Sequence, residues 1–130
     1  MLRLYPARTA EELEHARILF LEMGGGEPDE LPGPFAPPHG RLLLAEWNGT
    51  LAGCVAFEPL PDRRAACCVE RLYVRPGFRR LGIARALVAW AVDEARALGY
   101  HRAWAAGGDG AVYRALGFVG GELALSTRPR

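Results

Sequence analysis

The 130-residue chain contains no lysine, so all sixteen of its basic side chains are arginines. A Walker-type phosphate loop depends on a lysine, as does Schiff-base chemistry, and both enzyme classes are excluded. Cysteine is scarce, with only Cys54, Cys67 and Cys68. An odd number with no C-x-x-C or Cys/His spacing suggests neither a disulfide scaffold nor a zinc or other metal site, and all three read as reduced thiols. Cys67 and Cys68 are neighbours that would face opposite sides of a strand, which argues against their pairing. Long apolar runs are also missing. The longest, which includes Leu87 to Val92, falls far short of the roughly 20 residues that span a bilayer, and Glu11, Glu12 and Glu14 interrupt the N-terminus before any signal-like core. The expectation is a soluble, cytoplasmic protein without a membrane partner. Nor does charge of one sign dominate: 16 basic side chains against 15 acidic ones leave no overall field to hold nucleic acid.

What is present is a chain that is 50% apolar, enough for one domain over residues 1–130 with one compact core. Leu2 to Tyr5 forms a short strand, and Thr9 with Glu12 makes a capping box that opens a helix through Leu13, Ala16 and Phe20, ended by Gly24. Residues 24 to 40 carry Pro28, Pro32, Pro34, Pro37 and Pro38, which exclude helix interior and sheet pairing over most of that stretch. Asn48-Gly49 supplies the two positive φ angles of a tight hairpin turn between strands Arg41 to Trp47 and Thr50 to Phe57. Ala65 to Val74 reads as a long strand with Cys68, Glu70, Leu72 and Val74 on one face, stopped by Pro76. Ile83 to Leu98 is an amphipathic helix with Gly99 as its cap. Tyr100 to Ala105 is a further strand, Asp109 caps a short helix containing Tyr113, and Phe118 to Leu125 permits a last strand.

The chemistry-bearing segment is Arg79-Arg80-Leu81-Gly82-Ile83-Ala84, placed between a strand and a helix. The unpaired N–H groups of a first helical turn and its dipole favour an anion there, and a diphosphate meets that need. Gly82 removes a Cβ from the path of the phosphate oxygens, Ala84 keeps the next turn small, and Arg79, Arg80 and Arg85 neutralise charge. Taken alone, the hexapeptide is equally compatible with a glycine-shaped turn and solvated arginines.

Its context resembles the acetyl-CoA motif of the GNAT superfamily of N-acetyltransferases. Glu70-Arg71-Leu72-Tyr73-Val74-Arg75-Pro76 is followed by R-x-x-G-x-A, an amphipathic helix, and a later Tyr-x-x-x-Gly-Phe met by Tyr113, Gly117 and Phe118. The similarity runs from about Arg41 to Phe118. It implies an α/β (α+β) fold with a mixed, mostly antiparallel central sheet, splayed in the middle and carrying helices on both faces. Acetyl-CoA, the acyl donor, would enter the splay with its pyrophosphate on Arg79, Arg80, Leu81, Gly82, Ile83, Ala84 and Arg85, and its pantetheine arm along Leu72, Tyr73 and Val74. The reaction implied is direct attack by a primary amine of a small molecule or peptide, with no metal.

Such an attack needs a neutral amine, stabilisation of the oxyanion, and a proton for the departing thiolate. Tyr113 matches the family tyrosine that donates to the CoA sulfur; its alternative role is packing of the short helix. Glu70 is placed to accept the amine proton, sharing a strand face with Leu72 and Val74, or it is a solvated or salt-bridged strand residue. Many relatives carry the acid two positions earlier, where this chain has Cys68. Cys68 has no activating histidine linked to it by any motif, so a covalent route is not expected. Backbone N–H groups near Leu72 to Val74 are the oxyanion donors if the strand carries the bulge of its relatives.

The sequence departs from the family in three places. The Pro-rich residues 24 to 40 replace a helix, and Glu27, Asp29 and Glu30 within them are read as solvating charge. The Ala105 to Gly110 region lacks the family's CoA-contacting Asn. The last strand stands alone where relatives finish with two, which leaves an edge for a homodimer. The competing reading is a non-catalytic acyl-CoA-binding sensor that keeps the pyrophosphate loop and has lost acceptor handling.

Overall fold

A computed structural model describes residues 1–24, 30–108, 110–120 and 124–127. The expectations for Glu27, Asp29 and Asp109 lie outside these residues. Six strands form one sheet in the order β1 (Leu2–Pro6), β2 (Arg41–Trp47), β3 (Thr50–Pro59), β4 (Ala66–Val74), β5 (Arg102–Ala105) and β6 (Ala124–Ser126). Every pairing is antiparallel except β4 with β5. The expected mixed, mostly antiparallel sheet is therefore present, with α1 (Ala10–Glu22) on one face and α2 (Ile83–Ala97) on the other.

Local chemistry accounts for the boundaries. In the capping box Thr9 Oγ1 accepts from the Glu12 amide at 3.1 Å, and Glu12 Oε1 accepts from the Thr9 amide at 3.0 Å. Asn48 and Gly49 adopt φ of 51° and 83°, the left-handed pair that a two-residue hairpin demands. Between α1 and β2 the described residues hold only a 3-10 turn at Gly33–Phe35, as the proline spacing requires. β5 starts at Arg102 rather than Tyr100, because the His101 amide donates to the Ala65 carbonyl at 2.7 Å before parallel pairing begins. Val119 bridges to Ala124, so the final expected strand is a short return to β6.

Two apolar layers flank the sheet. On one side Ile83, Leu87, Val88 and Ala91 of α2 pack on Leu43, Val55, Phe57, Cys67, Val69 and Ala103, joined by Tyr113 of α3 (Gly110–Ala115) and by Phe118. On the other, Ala16, Leu19 and Phe20 of α1 meet Phe35 and cover Tyr5, Leu42, Leu44, Cys54 and Ala56. This second layer reaches β4 only at Tyr73 and does not extend to β5. Part of the sheet on the α1 side is thus left uncovered by the described residues.

Candidate active site

β4 changes character halfway along. Cys67 to Val69 pair with both β3 and β5, and the Ala106 amide closes the β5 side by donating to the Val69 carbonyl at 2.9 Å. Beyond that point β4 pairs with β3 alone, and the two parallel strands part. The resulting cleft, about 790 Å³, is lined by Glu70, Arg71, Leu72, Tyr73, Pro76 and Arg79 on one side and Ala106 to Gly108 on the other.

A β-bulge sits at the parting. Glu70 pairs with Ala56 and Tyr73 with Cys54, so Arg71 and Leu72 together oppose Val55 alone. Arg71 takes φ of 58°, a left-handed conformation unusual for a side chain other than Gly or Asn. The bulge corrects one expectation from the sequence. The extra residue reverses the alternation, so Leu72 and Val74 join Cys67 and Val69 against the α2 layer, whereas Cys68 and Glu70 lie on the α1 side with Tyr73. Glu70 does not share a face with Leu72 and Val74. Gly53 backs this region, since a Cβ there would stand 2.5 Å from the Tyr73 carbonyl oxygen.

The loop before α2 lies at the other end of the cleft. Arg80 and Gly82 have φ of 66° and 81°, and Gly82 is the N-cap. The first helical amide with an internal partner is that of Ala86, which donates to the Gly82 carbonyl at 3.1 Å. Among the described residues, no protein carbonyl accepts from the amides of Arg80 to Arg85. These six residues therefore present the unpaired donors that an anion requires. Ile83 contributes only its backbone here, because its side chain is buried under α2. Arg79 is anchored by a 3.0 Å bond from its Nε to the Val74 carbonyl, while Arg80, Leu81 and Arg85 are exposed. A smaller cavity of about 240 Å³ follows the loop between Val74 and Val112.

Tyr113 is fully buried against Phe118, their ring centroids 5.2 Å apart, and its hydroxyl has no hydrogen-bond partner among the described residues. A buried hydroxyl left unpaired costs on the order of 1–3 kcal/mol, an unusual expense in a settled core. Burial pushes its phenol well above the ordinary value, and the nearness of Cys68 and Glu70 adds to this. The hydroxyl thus stays protonated through neutral pH and lies near Cys68 and Glu70, which flank the residue where β4 and β5 part. Burial also raises the Cys68 thiol to about 12, with Glu70 contributing, which leaves it a poor nucleophile. None of the three histidines is drawn to the site: His39 and His101 are exposed, and His15 lies on α1.

Sequence reasoning missed Glu58. Cross-strand register sets Glu58 opposite Cys68 and Ala56 opposite Glu70, so the two carboxylates are diagonal neighbours on one face. Partial burial and then Glu70 raise the Glu58 carboxyl, with Arg71 opposing them. No motif pointed to it, because the β3–β4 register depends on the turn at residues 60–65. Glu22 is occupied otherwise: its carboxylate accepts from Arg75 Nη2 at 2.7 Å and from the Tyr73 hydroxyl at 3.2 Å, tying α1 to β4.

A strand edge exposed by the parting of β4 and β5, a run of unpaired amides before α2 and an orphaned buried hydroxyl are thus found in one region of the fold, and comparison with known proteins gives the family. The chain matches the acetyltransferase (GNAT) family over residues 6–118, and it belongs to that family. It is 42% identical over 77 residues to an uncharacterized N-acetyltransferase of Schizosaccharomyces pombe, a stretch covering 55% of this chain and 46% of that protein. It is 27% identical over 77 residues to the uncharacterized N-acetyltransferase YjgM of Escherichia coli, covering 58% and 46%. The chain thus spans about half the length of the curated relatives it matches. Among solved structures, AAC(6')-Iy in complex with a CoA-linked bisubstrate analog superposes with a TM-score of 0.77 at 21% identity, covering 100% of this chain and 99% of that one. The ribosomal-protein-S18-alanine N-acetyltransferase from Escherichia coli does so with a TM-score of 0.73 at 16% identity, covering 100% and 96%. Both likenesses establish the shared fold.

Proposed function

We propose that this chain is a single acetyltransferase domain that transfers an acetyl group from acetyl-CoA to a primary amine of a small molecule or peptide by direct attack. The observation that carries the reading is the run of unpaired amides from Arg80 to Arg85, next to a cleft lined by Arg79 and Glu70, with the unpartnered Tyr113 hydroxyl buried near Glu70. The donor supplies an activated thioester carbonyl when bound. Amides of the Arg80 to Arg85 turn, with the Arg79, Arg80 and Arg85 guanidiniums, would hold its pyrophosphate. The edge at Leu72, Tyr73 and Val74, free of a neighbouring strand though Arg79 already occupies the Val74 carbonyl, would hold the arm, and amides beside the bulge would face the carbonyl oxygen as charge develops there. Tyr113 would donate its proton toward the sulfur, and Glu70, assisted by the charge of Glu58, would take the amine proton. Geometry sets these roles ahead of intrinsic acidity, since a raised phenol pKa is a handicap that only position offsets.

The reading also bears on context. Three free thiols and dependence on acetyl-CoA suit the cytoplasm, and among the described residues no helix is long and apolar enough to cross a membrane. Beyond the Val119–Ala124 bridge, β6 at Ser126 would be where a second copy pairs, which light scattering at micromolar concentration checks.

The test has two parts. Acetyl-CoA should raise the melting temperature, because it binds only the folded state, and free thiol should then be released on mixing with an amine panel. A thermal shift without thiol release from any amine would favour the non-catalytic CoA sensor. No thermal shift would remove both readings.

A further inference from the structure

The free half of β4 lacks the neighbour that steadies the paired half. Beyond Val69 it pairs with β3 alone, and it carries a bulge with Arg71 in a left-handed conformation. A strained, one-sided strand persists only when its surroundings fix it. The amides that would meet the donor's arm therefore need a second support.

The end of α1 supplies one. From the bulge onward Arg71, Tyr73 and Arg75 follow at a spacing of two, the period that sends side chains to one face of a strand, and each meets α1. The Arg71 guanidinium stands 5.2 Å from the Phe20 ring centroid. The Tyr73 hydroxyl donates to Glu22 Oε1 at 3.2 Å, and Arg75 donates to the same carboxylate twice, from Nε at 3.1 Å and from Nη2 at 2.7 Å. Arg75 is fastened to β3 as well, its Nη1 donating to the Leu51 carbonyl at 3.3 Å and its amide to the Ala52 carbonyl at 2.8 Å. The hydrogen bond from Arg75 holds the Glu22 carboxyl below the ordinary carboxylate range, so the pair is charged at neutral pH. A surface ion pair is ordinarily worth little, but a guanidinium fork on a carboxylate that also takes a phenol is the geometry in which one counts. Glu22 and Met23 line the same cleft as Leu72 and Tyr73.

We infer that Glu22 is a positioning residue for the acyl donor: by gripping Tyr73 and Arg75 it fixes the free edge of β4 in the conformation that takes the pantetheine arm. This rests on the acetyltransferase reading and adds to it a residue from outside the motif. Losing the grip lowers the fraction of molecules whose edge is ready, and affinity falls with that fraction. The bound donor then restores the edge, so turnover at saturation is spared. A ligand with a diphosphate and no arm does not draw on the edge at all.

The experiment is calorimetric titration of the wild type, Glu22→Ala, Arg75→Gln and the double variant with acetyl-CoA and with ADP, which carries a diphosphate but no pantetheine arm. Glu22→Ala should bind acetyl-CoA about three- to tenfold more weakly and change the affinity for ADP by less than about twofold. The double variant should bind acetyl-CoA no more weakly than Arg75→Gln, because both substitutions break one contact. Hydrogen exchange of the free protein reads the grip without any ligand: the Arg75 amide should exchange severalfold faster in Glu22→Ala, with Cys67 to Val69 unchanged. Unchanged acetyl-CoA affinity in Glu22→Ala, an equal loss for ADP, additive losses in the double variant, or unchanged exchange at Arg75 would each overturn the inference. A wild type that does not bind acetyl-CoA would instead remove the acetyltransferase reading, and exchange at Arg75 would still decide whether Glu22 holds the strand.

Discussion

The two halves of β4 obey opposite rules. From Cys67 to Val69 the strand is paired on both edges and its inward side chains, Cys67 and Val69, are fully buried under α2. From Glu70 onward one edge is free, the chain is bulged, and Arg71 holds a left-handed conformation. The first half minimises unpaired polar groups, and the second keeps them in supply. Stability and binding are thus divided along a single strand, with the bulge as the boundary.

Substitutions in the two halves should therefore separate stability from activity. The largest effect is expected at Tyr113, beside the parting. Tyr113→Phe should lower turnover by about 100-fold or more while leaving the acetyl-CoA thermal shift intact, and because the hydroxyl has no partner the free variant should melt no lower than the wild type. Steady-state kinetics with a melting curve check both, and a variant with full turnover would remove the phenol from the reaction. Next comes Gly53→Ala, whose Cβ has no room against the Tyr73 carbonyl. Its cost, up to about 3 kcal/mol in urea unfolding, should come with weakened acetyl-CoA binding, since the bulged half must shift. Val69→Ala in the paired half should cost about 2 kcal/mol and leave kcat unchanged. If Val69→Ala impaired catalysis as strongly as Gly53→Ala, the division would not hold.

The smallest effect concerns Glu58. Its carboxyl is raised in the folded protein, first by burial and then by Glu70, so the native state binds this proton more tightly than the unfolded chain does. Ionisation therefore costs stability above the ordinary glutamate range near pH 4.3 and costs nothing well below it. Glu58→Gln should accordingly raise the melting temperature slightly at pH 7 and confer no gain at pH 3. Opposite signs at those two pH values would place Glu58 in a stabilising ion pair instead.

Local signals were legible where local chemistry decides. Thr9 and Glu12 announced α1, Asn48-Gly49 the hairpin, and Gly82 the start of α2, because each depends on residues within one turn of the chain. The motif also singles out Glu70 and Tyr113 as candidates. What could not be read depends on strand register. Alternation alone put Glu70 with Leu72 and Val74, and a bulge occupied by Arg71, with no glycine to mark it, shifted that parity by one. The same blindness hid Glu58, whose position follows from how β3 lies on β4. Ile83 shows a subtler limit: the motif selects it for its amide, while its side chain serves the core.

Amide hydrogen exchange of the wild-type protein with and without acetyl-CoA tests the central claim most directly. The unpaired donors from Leu81 to Arg85 and the free edge at Leu72 to Val74 should exchange markedly more slowly when the donor is present, with Ala66 to Val69 unaffected. Exchange at the α2 turn that is the same with saturating acetyl-CoA as without it would contradict the account.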